Sequence, residues 1–269
     1  MRGGETVRCE IIYEDEELLI VHKPAGLATQ SANLAEMDVL SELKNYLAGK
    51  NRGVEGTKPA ARSGVEGAKP AARRGAKGVK PAAGQGAAPY VGIVHRLDQP
   101  VEGLLAFAKT KAAAAALTRQ LGNGTLNKTY LAAVYGEPLP KGELLDMIRK
   151  EKNVAQVVTG REGEFSDAKQ AKLCYERLDA KAVLPATALL KVQIETGRFH
   201  QIRAQLSHAG FPILGDAKYG SEASKAFSKE KGIRNLALCA NELTLTHPRT
   251  KREYSWNCTP AWLSELFVE

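Results

Sequence analysis

Apolar positions along this chain fall mostly into short blocks and alternating runs, with only a few stretches at helical spacing. Glu10–Tyr13 and Leu18–His22 are two such blocks. The acidic turn Glu14–Glu17 separates them, which predicts a hairpin, and Pro24 and Gly26 end its second strand. Helical spacing appears from Asp38 to Leu47, where Val39, Leu40, Leu43 and Leu47 share one face. Further on, Val91–Val94 and Gly103–Lys109 read as strands. Thr110 caps an Ala-rich helix that runs to Leu121 and stops at Gly122. Tyr130–Tyr135, Ala168–Leu178, Ala186–Glu195 and Leu236–Thr246 read as strands, and Pro138 and Pro140 break the chain after the first of them. A helix is expected from about His200 to Ala209, ended by Gly210, and a short closing helix over Trp262–Phe267. Strands outnumber helices and come in runs, so the fold class is α+β, a mixed or largely antiparallel sheet with a few flanking helices.

Between the first helix and Val91 the pattern disappears. The unit at 53–63, Gly-Val-Glu-Gly-Thr-Lys-Pro-Ala-Ala-Arg-Ser, recurs at 64–74 and more loosely at 75–85. Pro59, Pro70 and Pro81 exclude a helix of that period, and the absence of large apolar side chains excludes a solenoid. Residues 50–89 are read as a disordered basic insertion, and deleting 53–85 is expected to leave the melting temperature unchanged. The seven cations and two anions of residues 53–85 carry +5 of the total charge of +8, so the remainder is only +3. A basic balance is compatible with nucleic-acid binding without establishing it.

The hydrophobic share of 43% and charged share of 25% are ordinary for a globular chain. No apolar run approaches the ~20 residues of a membrane span, and the N-terminus leads into a strand pattern without a signal-peptide core. Cys9, Cys174, Cys239 and Cys258 are scattered, with no Cys-x-x-Cys pair. They read as small apolar groups in a reducing compartment, and a cytoplasmic location without a metal site or disulfide frame is expected.

Two stretches carry candidate chemistry. His95-Arg96-Leu97-Asp98 ends a polar turn just before the apolar run Gly103–Lys109, with Arg96 two residues from the carboxylate. On these residues alone, a surface salt bridge at a strand edge and a shielded carboxylate at the mouth of a sheet both fit. The second stretch is Gly197-Arg198-Phe199-His200-Gln201-Ile202-Arg203.

With Lys23-Pro24-Ala25-Gly26-Leu27, Lys128-Thr129-Tyr130 and Gly210-Phe211-Pro212-Ile213-Leu214-Gly215-Asp216-Ala217-Lys218-Tyr219-Gly220, these stretches stand in an order that resembles the RluA-like family of RNA pseudouridine synthases. The resemblance covers most of the chain outside 50–90. It implies a pseudouridine synthase catalytic fold with a bent sheet, one domain over 1–269, and isomerisation of uridine in ribosomal or transfer RNA with no cofactor and no metal. It assigns the catalytic carboxylate to Asp98, its opposing guanidinium to Arg203 and a base-stacking ring to Tyr130. Leu206 would line the pocket, and His95, Arg96, Arg198, His200 and Gln201 would contact the substrate. His22, His208, His247, Lys23-Pro24 and Tyr219 read as structural. Val101-Glu102 stands where the family usually has Thr-Ser before the glycine.

Two other functions compete. A silent RNA-binding module with the same fold would bind RNA with a steep salt dependence and modify nothing. A carboxylate-based glycoside hydrolase would need a second acid at a suitable separation, which no spacing identifies. Nothing fixes the oligomeric state, and a monomer is the simpler expectation.

Overall fold

The computed structural model describes residues 8–31, 33, 36–51, 88–159 and 166–268. The basic repeat therefore lies outside the described residues. In chain order the elements are β1 Glu10–Glu14, β2 Leu18–Lys23, α1 Val39–Asn51, β3 Gly92–Ile93, β4 Glu102–Ala108, α2 Lys111–Gly122, β5 Asn127–Tyr135, β6 Lys141–Glu151 and β7 Val154–Val158. They continue as β8 Lys169–Arg177, β9 Lys181–Ala182, β10 Thr187–Ile194, α3 Gln201–His208, α4 Glu222–Glu230, β11 Leu238–Thr246, β12 Glu253–Asn257, α5 Leu263–Leu266 and β13 Phe267–Val268.

One mixed sheet runs in the order β1-β2-β4-β11-β5-β10-β8-β6-β7, with β12 added to β11 and β3 to β4. Among the described strands β4 and β11 form the single parallel pair; the others are antiparallel. This is the α+β layout that the strand runs predict.

The strand β4 explains how the sheet is covered. All its residues are buried because both of its faces are packed. Leu105 and Phe107 enter a large core that also holds Val39, Leu43 and Leu47 of α1 and Ile202 and Leu206 of α3. Leu104, Ala106 and Ala108 enter a smaller core with Ala113 and Leu117 of α2. The alternation within β2 sorts the same way, Leu19 and Val21 to one side and Leu18 and Ile20 to the other. Helix caps follow the sequence: Asp38 accepts the Ser41 N–H at 2.7 Å, and the Thr110 hydroxyl accepts that of Ala113 at 3.0 Å.

At Gly103 the parallel pair is very tight. Its φ is +130°, and a Cβ there would lie 2.4 Å from the carbonyl oxygen of Ala240. Only glycine fits both the dihedral and the gap.

The structure adds elements that the pattern does not predict. The prolines after β5 break the chain only briefly, and a β6–β7 hairpin comes next, turning through Lys152 at φ +52°. Only Ile148 of β6 is buried, so its apolar alternation is thin. The strand β12 is short and α4 is largely polar, capped by Ser221 on the Ser224 N–H at 3.1 Å.

Candidate active site

Asp98 lies in the loop between β3 and β4, at the edge of the large core. That loop is held from behind. Lys23 ends β2 with no exposed surface, and its ammonium donates to the carbonyls of Pro24, Leu27 and Gln99 at 3.0, 2.8 and 3.1 Å. The Thr29 hydroxyl donates to the Leu97 carbonyl at 2.8 Å and accepts the Leu97 N–H at 3.2 Å. The Gly26 N–H donates to the Gln99 carbonyl at 2.9 Å. The residues on either side of Asp98 are thus fixed, while its carboxylate remains 32% exposed.

The electrostatics of that carboxylate are unbalanced. Burial raises its pKa above the ordinary 3.8, and the cations Arg203, Lys23, Arg96 and Lys218 pull it down without cancelling the rise. Lys23 itself is pushed down to about 8 by burial, which the charges of Asp98 and Glu102 oppose.

Arg203 projects from α3 and is also buried, but its ion pair is with Asp216. Its Nε and Nη2 donate to the two oxygens of Asp216, each at 2.8 Å. Asp216 further accepts the N–H groups of Lys218 and Tyr219 at 3.0 Å. Arg203 therefore opposes Asp98 without a direct ion pair. It lowers the Asp98 pKa through space, more than any other cation, while its fork is occupied elsewhere. A buried guanidinium needs an anion in contact, and Asp98 is too exposed to serve that purpose alone.

His200 approaches Asp98, Nε2 to Oδ2 at 3.5 Å. Its backbone is left-handed at φ +51°, a conformation a non-glycine residue holds only when its surroundings impose it. The ring stacks on Phe199 at 3.7 Å between centroids, and Nδ1 meets the Tyr219 hydroxyl at 2.7 Å. That hydroxyl already accepts the Ala155 N–H at 2.7 Å, so its own proton is free to go to Nδ1. His200 then carries its hydrogen on Nε2, facing Asp98. Burial, aided by Arg203 and Lys218, depresses its pKa to about 4, so the ring beside Asp98 is neutral at pH 7.

The remaining candidates divide clearly. Tyr130 is buried in β5, in the same core cluster as Leu97 and Val101 near Asp98 and Ile202 and Leu206 around Arg203. Leu206 is fully buried there. Arg96 and Arg198 are exposed, and Arg198 Nε donates to the Gln170 carbonyl at 2.9 Å. Gln201 is bound internally: its carbonyl accepts the Thr196 hydroxyl and the Arg198 N–H, and its amide donates to the Lys172 carbonyl at 3.0 Å. His95 stands apart as a buried ring whose Nε2 accepts the Ala106 N–H at 3.1 Å, and burial keeps it neutral. Asp216 and Tyr219 stand within the sequence motifs, but the motifs alone give neither a part in the site. The signal available in the sequence is the need of a buried Arg203 for a fixed counter-charge.

A half-open aspartate, clamped at a loop apex among cations on a mixed sheet, defines a class of carboxylate-centred domain. The human RNA pseudouridylate synthase domain containing 1 has this fold, with a TM-score of 0.67 at 18% identity over 98% of this chain and 89% of that one. The sequence model of the RNA pseudouridylate synthase family matches residues 17–208, and the chain belongs to that family. It is 29% identical to ribosomal large subunit pseudouridine synthase D of Zymomonas mobilis subsp. mobilis, over 94% of this chain and 69% of the relative. It is 26% identical to tRNA pseudouridine synthase C of Haemophilus ducreyi, over 90% of this chain and 86% of the relative. The chain spans 62% to 69% of the length of five curated relatives, the ribosomal enzymes among them. Among the described residues no helix is long and apolar enough to cross a membrane.

Proposed function

We propose that this chain converts uridine to pseudouridine in ribosomal or transfer RNA, in the cytoplasm, with Asp98 as the reacting carboxylate. The bond from C1′ to N1 breaks, the uracil turns over, C5 bonds to C1′, and the hydrogen on C5 leaves to solvent while N1 takes up a proton. Atoms are conserved, so the chemistry asks for a charged group at the sugar and a surface that holds the detached base. Asp98 serves at the sugar face as nucleophile or base, and Tyr130 as the platform for the uracil. Aromatic stacking on a base contributes ~1–3 kcal/mol. The target base must leave its stack to reach a carboxylate in a loop.

The observation that carries this reading is the unpaired, partly shielded state of Asp98 within a ring of cations. Arg96 and Lys218 act on the Asp98 carboxylate and would attract phosphates of an incoming strand, and exposed Arg198 is a further candidate contact. Neutral His200 lies 3.5 Å from the Asp98 oxygen and adds no charge. A silent binding module would have no use for a carboxylate held at this cost.

The test is tritium release from ribosomal and transfer RNA labelled at uridine C5. Release by the wild type and none by Asp98→Asn is the expected result. Equal release by the two proteins would remove Asp98 from the chemistry.

A further inference from the structure

Two of the four scattered cysteines meet in the fold. Cys239 lies in β11 and Cys258 just after β12, and their sulfurs are 3.7 Å apart. His22 of β2 joins them: a ring nitrogen and the two sulfurs all lie within 4.8 Å of one another. Two sulfurs bound to one tetrahedral zinc at ~2.3 Å stand about 3.8 Å apart. The sulfur pair already has the spacing of two ligands on one zinc, with the His22 nitrogen close by.

A fourth side chain supports it. Glu102 is buried, and its Oε1 lies 3.1 Å from His22 Nε2 while also accepting the Ala261 N–H at 3.1 Å. A carboxylate on the imidazole of a Cys/His cluster is the arrangement that orients metal-bound histidines. Glu102 is also one of the two positions where this chain departs from the Thr-Ser of its family.

We propose that His22, Cys239 and Cys258 bind a thiophilic divalent cation of the zinc type, with Glu102 orienting His22. Thiolate and imidazole donors select zinc over magnesium or calcium, and binding displaces the thiol protons. A second group of possible ligands, Glu143, Cys174 and Glu195, is more exposed, and the Lys172 ammonium already bridges its carboxylates at 3.2 and 3.0 Å. Among the described residues the His22 cluster forms no ion pair with a Lys or Arg, and its Glu102 pairs with His22 alone. It joins β2, β4, β11 and the segment after β12, one residue from the Lys23 that clamps the Asp98 loop. The metal is therefore a staple behind the active site and takes no part in the reaction. The inference stands independently of the activity proposed above.

The experiment uses the full chain, reduced and stripped with a chelator. Zinc is titrated against a chromogenic indicator, and cobalt(II) is followed by its absorbance. One equivalent of zinc, a thiolate-to-cobalt charge-transfer band and a rise in melting temperature with zinc are expected. Cys258→Ser should abolish all of them, Glu102→Gln should weaken binding by about 10–100-fold, and Cys174→Ser should change nothing. His22→Gln is a second lesion should Cys258→Ser fold poorly, and circular dichroism checks both. Binding that survives both lesions, or a folded, reduced wild type that takes up no zinc, overturns the site. A Cys239–Cys258 disulfide that forms in air, with no zinc uptake after its reduction, would identify the pair as a redox couple instead.

Discussion

The loop before β4 and the loop after α3 each present one aspartate, and the two are treated in opposite ways. Asp216 has no exposed side-chain surface, yet its pKa is lowered, because a forked guanidinium and two backbone N–H groups outweigh the cost of burial. Asp98 is more open, yet its pKa is raised, because burial outweighs cations that never touch it. Direct hydrogen bonds, more than net nearby charge, decide whether a shielded carboxylate is content to be ionised. Asp216 is built to stay as it is; Asp98 is left with something to gain from an arriving positive charge.

Four substitutions probe that contrast. Asp98→Asn is expected to lower turnover the most, by about 10²–10⁴-fold in tritium release, with the fold intact. Asp216→Ala leaves a buried guanidinium without its partner and is expected to cost about 3–5 kcal/mol of stability in urea unfolding. Activity retained in a fully stable Asp216→Ala protein would break the contrast. Tyr219→Phe removes the hydroxyl that sets the His200 tautomer. It is expected to cost about 1 kcal/mol and to lower kcat with little change in KM, because RNA contacts elsewhere are untouched.

The pH effects are smaller and have a definite sign. A folded-state pKa above the unfolded value makes an ionised Asp98 a burden, so stability is lost as pH rises through that folded pKa. Asp98→Asn should therefore raise the melting temperature at pH 7 by roughly 1–3 °C. Asp216 acts in the other direction: its contribution is present above the unfolded pKa and fades as pH falls through the lowered one. The acid limb of the pH–rate profile should lie above the ordinary aspartate range. Lys218→Gln, the fourth substitution, should move it slightly higher by removing one offsetting cation.

Much of the fold was legible because burial on both faces writes β2 and β4 as unbroken apolar runs. The hairpin β6–β7 was not, because one face of β6 is open and more than half of its residues are charged. At the site, motif order pointed to Asp98, Arg203 and Tyr130. What the order did not supply was partnership. Spacing along α3 places Arg203 near the helix start, but only the returning loop decides that Asp216 takes its fork. The same limit applies to the cysteines: far apart in sequence, two are joined by the crossing of β2, β11 and the chain after β12. His95 is the reverse case, a buried residue in the motif whose Nε2 accepts from the β4 backbone.

Gly103 has a practical consequence for anyone screening this protein. A methyl group there has nowhere to go except into the Ala240 backbone, and the dihedral is strained as well. Random variants at this position will score as dead in any assay and invite a place among the chemical groups. Comparing soluble yield with specific activity would separate the two kinds of failure: a variant at 103 is expected to be scarce, a variant at 98 plentiful and inert.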